Sequence, residues 1–345
     1  MNLKELSSLL DLSQTTVSRA LNGYPEVGAR TRERVLKAAQ DHGYHPDSRA
    51  KSLATGRAMA IGHVIPLSSG HEMVNPVFSD FIAGAGEVYS RNGYDMLLSV
   101  VEDAGEEDAY RNMHSRRAVD GIILHGPKMG DSRIELLRDI GLPFVVHGRA
   151  SDIDPESYPW VDVNNRSAFA RAAEHLLDLG HRRIGLINGL EHMDFAHRRR
   201  LGYLSSLEAR GIAPDPALMH ASEMTEIQGH AAARAMLALD DPPTAFLVSA
   251  MIPAIGVRRA LDEAGLVMGR DVSVITHDDD LSYLRNGAEV PIFTALRSSV
   301  REAGRRSAQM LLDLINARAP VPSHEMLDAD LVVGQSTGPA RKDSS

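Results

Sequence analysis

Apolar residues in the first 45 positions recur at helical spacing. Leu3, Leu6 and Leu10 fall at i, i+3 and i+7 and predict a short amphipathic helix. Asp11-Leu12 makes a corner, since Asp is one of the few non-glycine residues that tolerate a left-handed backbone. Ser13 then offers an N-cap oxygen to a second helix, Gln14 through Asn22, with Val17 and Leu21 inward and Gln14, Thr15, Ser18 and Arg19 outward. A third helix, about Ala29 to His42, is anchored by Val35, Ala38 and Ala39 and rimmed by Arg30, Arg32, Arg34 and Lys37.

From Met59 the pattern changes to short continuous apolar runs separated by helical stretches. Residues 60–65, 95–100, 121–125 and 143–147 read as buried strands, and 183–187, 245–249 and 272–276 form a second series. Helical segments such as Ser167–Leu179 and Ile255–Ala264 lie between them. Apolar strands alternating with helices indicate parallel sheets covered on both faces. Ala60-Ile61-Gly62 and Arg183-Ile184-Gly185 echo each other, a weak repeat that suggests two similar lobes. The expected fold is a small all-α headpiece followed by an α/β body of two doubly wound parallel-sheet lobes.

Charge divides along the same line. The 345 residues carry a net −9, yet residues 1–57 hold nine Lys/Arg against six Asp/Glu, which is +3 and leaves −12 for the rest. A basic head on an acidic body points toward nucleic acid, because phosphate neutralisation supplies most non-specific affinity. There is no cysteine, which excludes disulfides and zinc fingers. The start of the chain lacks a signal-peptide apolar run, and no stretch reaches the roughly 18 apolar residues that span a bilayer. A cytoplasmic, nucleoid-associated protein with no membrane partner is expected.

In open α/β sheets ligands bind beyond the carboxyl ends of the strands. Those ends are polar here: His125 and Pro127, His147 and Arg149, Asp162, Ser249, and His277 through Asp280. Such groups converging on one cleft suit hydrogen bonding to sugar hydroxyls, with Phe78 and Trp160, the one tryptophan, placed to stack on a pyranose. Two alternatives stand beside a sugar-responsive regulator. A metal-dependent sugar enzyme would use His277, Asp278, Asp279 and Asp280, but consecutive residues of an extended segment point to opposite faces. No P-loop, Gly-x-Ser-x-Gly elbow or His-Glu-x-x-His is present, so no catalytic residue, cofactor or metal is expected. A periplasmic-type sugar-binding protein would need an export signal and no basic head.

Ser13-Gln14-Thr15-Thr16-Val17-Ser18-Arg19-Ala20-Leu21-Asn22, then Thr31-Arg32-Glu33-Arg34-Val35, then Gly43-Tyr44-His45-Pro46, closely resembles the headpiece of the lactose-repressor (LacI) family of transcriptional regulators. Ala50-Lys51-Ser52-Leu53-Ala54-Thr55-Gly56 resembles that family's hinge helix, and the resemblance continues more loosely to about residue 338 across a periplasmic-binding-protein-like body. It implies that Ser13, Gln14, Thr15, Thr16, Ser18 and Arg19, with Leu3, Asn22 and Thr31, face bases and phosphates. It also implies that Leu53 wedges between central base pairs in the minor groove, with Arg49 and Lys51 beside it neutralising phosphates. Effector contacts are implied for Asn75, Pro76, Phe78, His125, Asp162, His197 and Asp278, and His147, Arg199 and Ala250 are counted with them as candidate effector-binding residues. His197 stands where the family often has Arg, and Ala250-Met251 where it often has Asn-Asp, which suggests a more apolar pocket wall.

The expected organisation is a headpiece over 1–45, hinge and linker over 46–58, a two-lobed body over 59–338 and a polar tail over 339–345. The N-lobe is expected to take about 59–160 and 292–319, and the C-lobe about 161–291 and 320–338, with crossings near 160–163, 287–292 and 318–323, where Pro159, Pro291, Pro320 and Pro322 punctuate the pattern. One headpiece offers few base contacts, so a homodimer on a pseudo-palindromic double-stranded operator is expected. The tail has no heptads for a tetramerising coiled coil. The function expected is a repressor of sugar uptake or catabolism genes, its operator grip set by a small sugar between the lobes.

Overall fold

The computed structural model describes residues 1–21, 23–44, 56–66, 76–102, 105–317 and 324–341. The chain forms two units, Met1–Met59 and Ala60–Ser345.

In the first unit, helices α1 (Leu3–Leu10), α2 (Gln14–Leu21) and α3 (Ala29–Asp41) pack around Leu6, Leu10, Val17, Ala20, Val35 and Ala39. Asn2 and Glu5 cap α1 reciprocally: the Glu5 N–H donates to Asn2 Oδ1 at 2.9 Å and the Asn2 N–H to Glu5 Oε2 at 3.0 Å. Asp11 ends α1 in the left-handed conformation, φ 50° and ψ 45°, and Ser13 Oγ accepts from the Thr16 N–H at 3.1 Å to start α2. Two of the arginines that rim α3 are engaged. Arg32 Nη2 donates to the carbonyls of Tyr24 (2.7 Å) and Val27 (3.2 Å), and Arg34 Nη2 to that of Leu10 (2.5 Å). They tie carbonyls at the end of α1 and in the turn after α2 to α3.

The second unit contains two six-stranded sheets. The N-lobe sheet is built from β1 (Ala60–Pro66), β2 (Asp95–Val101), β3 (Gly121–His125), β4 (Phe144–His147), β5 (Trp160–Val163) and β11 (His324–Leu327). Its order is β11-β5-β4-β3-β1-β2, parallel throughout. The C-lobe sheet is built from β6 (Ile184–Asn188), β7 (Met219–Ala221), β8 (Ala245–Val248), β9 (Ser273–Asp278), β10 (Thr294–Arg297) and β12 (Asp330–Val332). Its order is β12-β10-β9-β8-β6-β7, with only β12 antiparallel to its neighbour. All seven runs read as strands from the sequence are strands; the short β5, β7, β10, β11 and β12 were not among them.

Helices α4 (Pro76–Asn92), α5 (Glu106–Ser115), α6 (Ser132–Asp139) and α11 (Val300–Ile315) cover the N-lobe sheet. Helices α7 (Asn165–Asp178), α8 (Asp194–Ala209), α9 (Glu226–Leu237) and α10 (Met251–Glu263) cover the C-lobe sheet. Helix α4 carries a glycine at position 84 and α11 one at position 304. A Cβ on Gly84 would sit 2.0 Å from the Arg301 carbonyl oxygen, and one on Gly304 of α11 would sit 2.2 Å from that of Phe81. The two helices therefore touch backbone to backbone, which only glycine permits.

The lobe boundaries differ from those expected. The chain crosses between lobes after β5 (163 to 165), after β10 (297 to 300) and after β11 (327 to 330). Residues 161–163 and 324–327 thus belong to the N-lobe sheet, and 294–297 to the C-lobe sheet. Pro159 and Pro291 precede strands rather than mark crossings. Proline, lacking an N–H, is tolerated at a strand's entrance, and each strand runs its course before the chain leaves the sheet. Pro320 and Pro322 lie outside the described residues. Residues 339–341 of the expected tail are docked: the Ala340 N–H donates to the Leu179 carbonyl at 2.8 Å and Arg341 pairs with Asp271.

Candidate functional site

The headpiece presents Ser13, Gln14, Thr15 and Arg19 to solvent, with Thr16, Ser18, Leu3 and Thr31 half-buried. Val17 and Ala20 bury the opposite face of α2, so the exposed donors and acceptors form one outward stripe. Asn22, Arg49, Lys51 and Leu53 lie outside the described residues, as does Asn75 in the body.

In the second unit a cavity of about 210 Å³ lies between the lobes, at the carboxyl ends of the strands. The N-lobe supplies His125 and His147 from the ends of β3 and β4, Asp162 from β5, Arg149 beyond β4, and Phe78 and Phe81 from α4. The C-lobe supplies Asn165 at the start of α7, Phe195 and Arg199 from α8, Ala250 beyond β8, and His277 and Asp279 at the end of β9. Met193 and Met224 add to the apolar lining.

Arg199 is held by hydrogen bonds and ring contacts. Its Nε donates to Asn165 Oδ1 at 2.8 Å and its Nη1 to the Ser249 carbonyl at 2.6 Å, while its guanidinium lies between Phe169 and Phe195, about 5 Å from each ring. Burial lowers its pKa to about 10, against the attraction of Asp279 and Asp162, and it stays charged. Asp162 accepts from Arg149 Nε at 2.8 Å. Burial raises the Asp162 carboxyl above its ordinary range in spite of that pairing. Burial also acts to raise Asp279, but His277, Arg199 and His147 together outweigh it and hold the carboxyl below its usual range. His277 Nε2 lies 3.3 Å from Asp279 Oδ1. Burial pushes His147 down to about 4 and His125 well below an ordinary histidine, so both are neutral at pH 7. Among the described lining residues the two arginines, Arg149 and Arg199, stand with two carboxyl groups, Asp162 and Asp279.

Several expected residues fall elsewhere. Pro76 opens α4 but does not line the cavity. Asp278 is replaced by Asp279: alternation along the strand end puts 277 and 279 toward the cleft, while the Asp278 carboxylate turns to the Asp280 N–H at 2.9 Å. His197 is half-buried outside the lining, whereas Arg199 is in it. Two positions on a helix differ by about 200°, so the arginine expected to be missing at 197 is supplied from the other face. Trp160 stacks on His324 and donates its indole N–H to the Pro155 carbonyl at 2.9 Å. It begins β5, whereas the cleft lies at that strand's end. Phe81, Phe195 and Asn165 were missed, although Phe81 follows Phe78 at i+3 and Phe195 precedes Arg199 at i−4 on shared helix faces. Asn165 carries no signal in the sequence that would single it out.

Among the described residues no group of three or more His, Asp or Glu is placed to hold a metal ion. No helix among them is long and apolar enough to cross a membrane.

Residues 2–47 match the model of the lacI family of bacterial regulatory proteins, and residues 173–337 that of a periplasmic binding protein-like domain. The HTH-type transcriptional regulator AglR of Rhizobium meliloti (strain 1021) is 44% identical over 341 residues, covering 99% of this chain and 95% of that protein. The chain belongs to the LacI family. Another relative, the HTH-type transcriptional regulator RafR of Escherichia coli, is 30% identical over 93% of this chain and 94% of that protein. Among solved structures, the Lac repressor dimer bound to operator and the anti-inducer ONPF superposes with a TM-score of 0.83 at 26% identity, over 98% of this chain and 99% of that one. The complex of the regulator CelR with cellobiose superposes with a TM-score of 0.72 at 26% identity, over 97% and 99%. As a LacI-family member the chain is a helix-turn-helix transcriptional regulator and not an enzyme, and the fold is that of the Lac repressor.

Proposed function

We propose that this regulator is a cytoplasmic repressor that holds a pseudo-palindromic operator as a homodimer and answers to an uncharged sugar bound between its lobes. The observation that carries the sugar reading is the cavity wall. Its paired arginines and carboxylates match hydroxyls that both donate and accept, while Phe78, Phe81 and Phe195 offer flat apolar faces to a pyranose. Net charge in the ligand is disfavoured, because Arg149 and Arg199 already have partners. The cellobiose complex of CelR, alike over the whole chain, supports a disaccharide.

The operator reading rests on the exposed stripe of α2 and on the likeness to an operator-bound dimer. The dimer reading has support of its own. β2 is an edge strand, and its Leu97, Leu98 and Val100 are 38%, 41% and 42% exposed. Adjacent apolar side chains on an unpaired edge are a liability unless a second copy covers them.

The test has two stages. Thermal-shift measurements of the full chain against neutral mono- and disaccharides, sugar phosphates and nucleosides identify the ligand class. Gel shifts with the region upstream of its own gene, with and without the hit, then read the response. A neutral sugar should raise the melting temperature and alter operator affinity. No preference for any natural site over random duplex at several salt concentrations would overturn the regulator reading for this chain.

A further inference from the structure

Behind the cleft lies a histidine that the ligand cannot reach. His63 is fully buried in the middle of β1 and is not part of the cavity wall. Both its ring nitrogens are nevertheless committed: Nδ1 lies 2.9 Å from His125 Nε2, and Nε2 lies 3.2 Å from the hydroxyl of Tyr89 on α4. Burial keeps His63 neutral, with its pKa down at about 3, and holds the Tyr89 hydroxyl well above its ordinary value. His125 is neutral for the same reason.

A neutral imidazole has one N–H and one lone pair, so this two-bond chain can run in only two directions. In one, His125 Nε2–H donates to His63 Nδ1, and His63 Nε2–H donates to the Tyr89 oxygen. The hydroxyl proton of Tyr89, a residue only 1% exposed, is then left with no acceptor among the described residues. In the other, Tyr89 O–H donates to His63 Nε2 and His63 Nδ1–H donates to His125 Nε2. Every enclosed donor in the chain then has an acceptor, and the remaining proton sits on His125 Nδ1, which has no partner among the described residues but belongs to a residue of the cavity wall, where water or ligand can accept from it. An unmade buried hydrogen bond is costly enough to favour the second direction by roughly tenfold or more. The His125 ring is also held in place by edge contacts with Phe78 and Phe81, at centroid distances of 5.1 and 4.9 Å.

We infer that Tyr89 and His63 fix His125 as its Nδ1–H tautomer, making His125 a hydrogen-bond donor for an oxygen acceptor on the ligand. His63 and Tyr89 are positioning residues, and His125 is a specificity-determining one. The ligand feature selected is a hydroxyl, ring or glycosidic oxygen rather than an N–H. This last step rests on the cleft being the effector site; the tautomer assignment does not.

The test is long-range ¹H–¹⁵N correlation of imidazole-labelled, ligand-free, full-length protein, with the His125 signals assigned by their loss in His125→Gln. Protonated and unprotonated ring nitrogens resonate far apart, so the tautomer is read directly. The expected result is a protonated Nδ1 and a bare Nε2 on both His63 and His125. Tyr89→Phe removes the deciding hydroxyl and should move both pairs of signals toward an average of the two tautomers. A proton on His125 Nε2 in the wild type would overturn the inference without recourse to any variant. So would signals unchanged in a Tyr89→Phe protein that melts cooperatively. With cellobiose as the probe, weaker binding to Tyr89→Phe than to wild type supports the donor role. Failure of every neutral sugar to bind the wild type would overturn the sugar reading alone and leave the tautomer standing.

Discussion

Asp80 on α4 accepts a 2.6 Å hydrogen bond from the backbone N–H of Ser282, across the boundary between the lobes. Arg301 of α11 holds the same carboxylate at 2.8 Å. On another rim Asp194, at the start of α8, accepts from the Ser151 N–H at 2.7 Å. Each lobe thus lends a carboxylate to a backbone amide of the other, and this lobe arrangement is pinned at points outside the ligand cavity.

Asp80→Ala should loosen that arrangement. Losing a charge-assisted hydrogen bond costs about 1.5–3 kcal/mol, reduced here because Arg301 is about one-third exposed. Operator affinity without ligand should change while the headpiece keeps its own melting transition, which calorimetry reads. The pH dependence has a definite sign. Burial acts to raise the Asp80 carboxyl, but the Ser282 N–H and the Arg301 guanidinium outweigh it and hold it low. Its stabilisation is therefore full above the ordinary carboxylate range, near 4, and lost as pH falls through the lower folded value. Wild type should lose more stability than Asp80→Ala over that window.

Asp279→Asn should abolish most of the ligand response, because the side chain faces Arg199 and His147 in the cavity. A tenfold or greater loss in affinity, about 1.4 kcal/mol, is expected by titration calorimetry. Asp278→Asn should leave affinity within about twofold. The reverse ranking would move the acceptor site to Asp278.

Arg19→Ala should weaken operator binding, lower the slope of log affinity against log salt by about 1, and leave the thermal stability of the body unchanged. Arg32→Ala should instead destabilise the headpiece, since Arg32 ties the Tyr24 and Val27 carbonyls to α3. Unfolding curves of the two variants separate the roles.

Gly304→Ala should destabilise the body by about 2 kcal/mol or more, because its methyl would strike the Phe81 carbonyl oxygen, an atom of rigid helix backbone. A melting temperature within 1–2 °C of wild type, the scale of a few tenths of a kcal/mol, would contradict the backbone contact of α4 and α11.

Sequence pattern was strong wherever periodicity ran long. The headpiece helices and the seven apolar strands have bounds that agree to within about two residues. Edge strands such as β7 and β12 were invisible because three residues with mixed burial carry no alternation to detect. In the cleft, His125, His147, Asp162, Phe78, Ala250 and Arg199 could be named because strand ends and a family resemblance pointed to them. The choice of Asp279 over Asp278 needed the local turn of the backbone, and the company of Phe195 needed the rotation of α8. His63 was read as one more residue of an apolar run, since a buried histidine in a strand gives no sign of what it touches.

The three crossings make the order of synthesis matter. The N-lobe sheet contains the earliest body strand, β1, and also β11, whose last residue is Leu327. The lobe begun first therefore cannot be closed until nearly the whole polypeptide has left the ribosome, whereas the headpiece has all its core residues within its first 39. During translation a basic, folded reader of DNA would hang from a body still in pieces, and its fidelity would depend on what those pieces meet first.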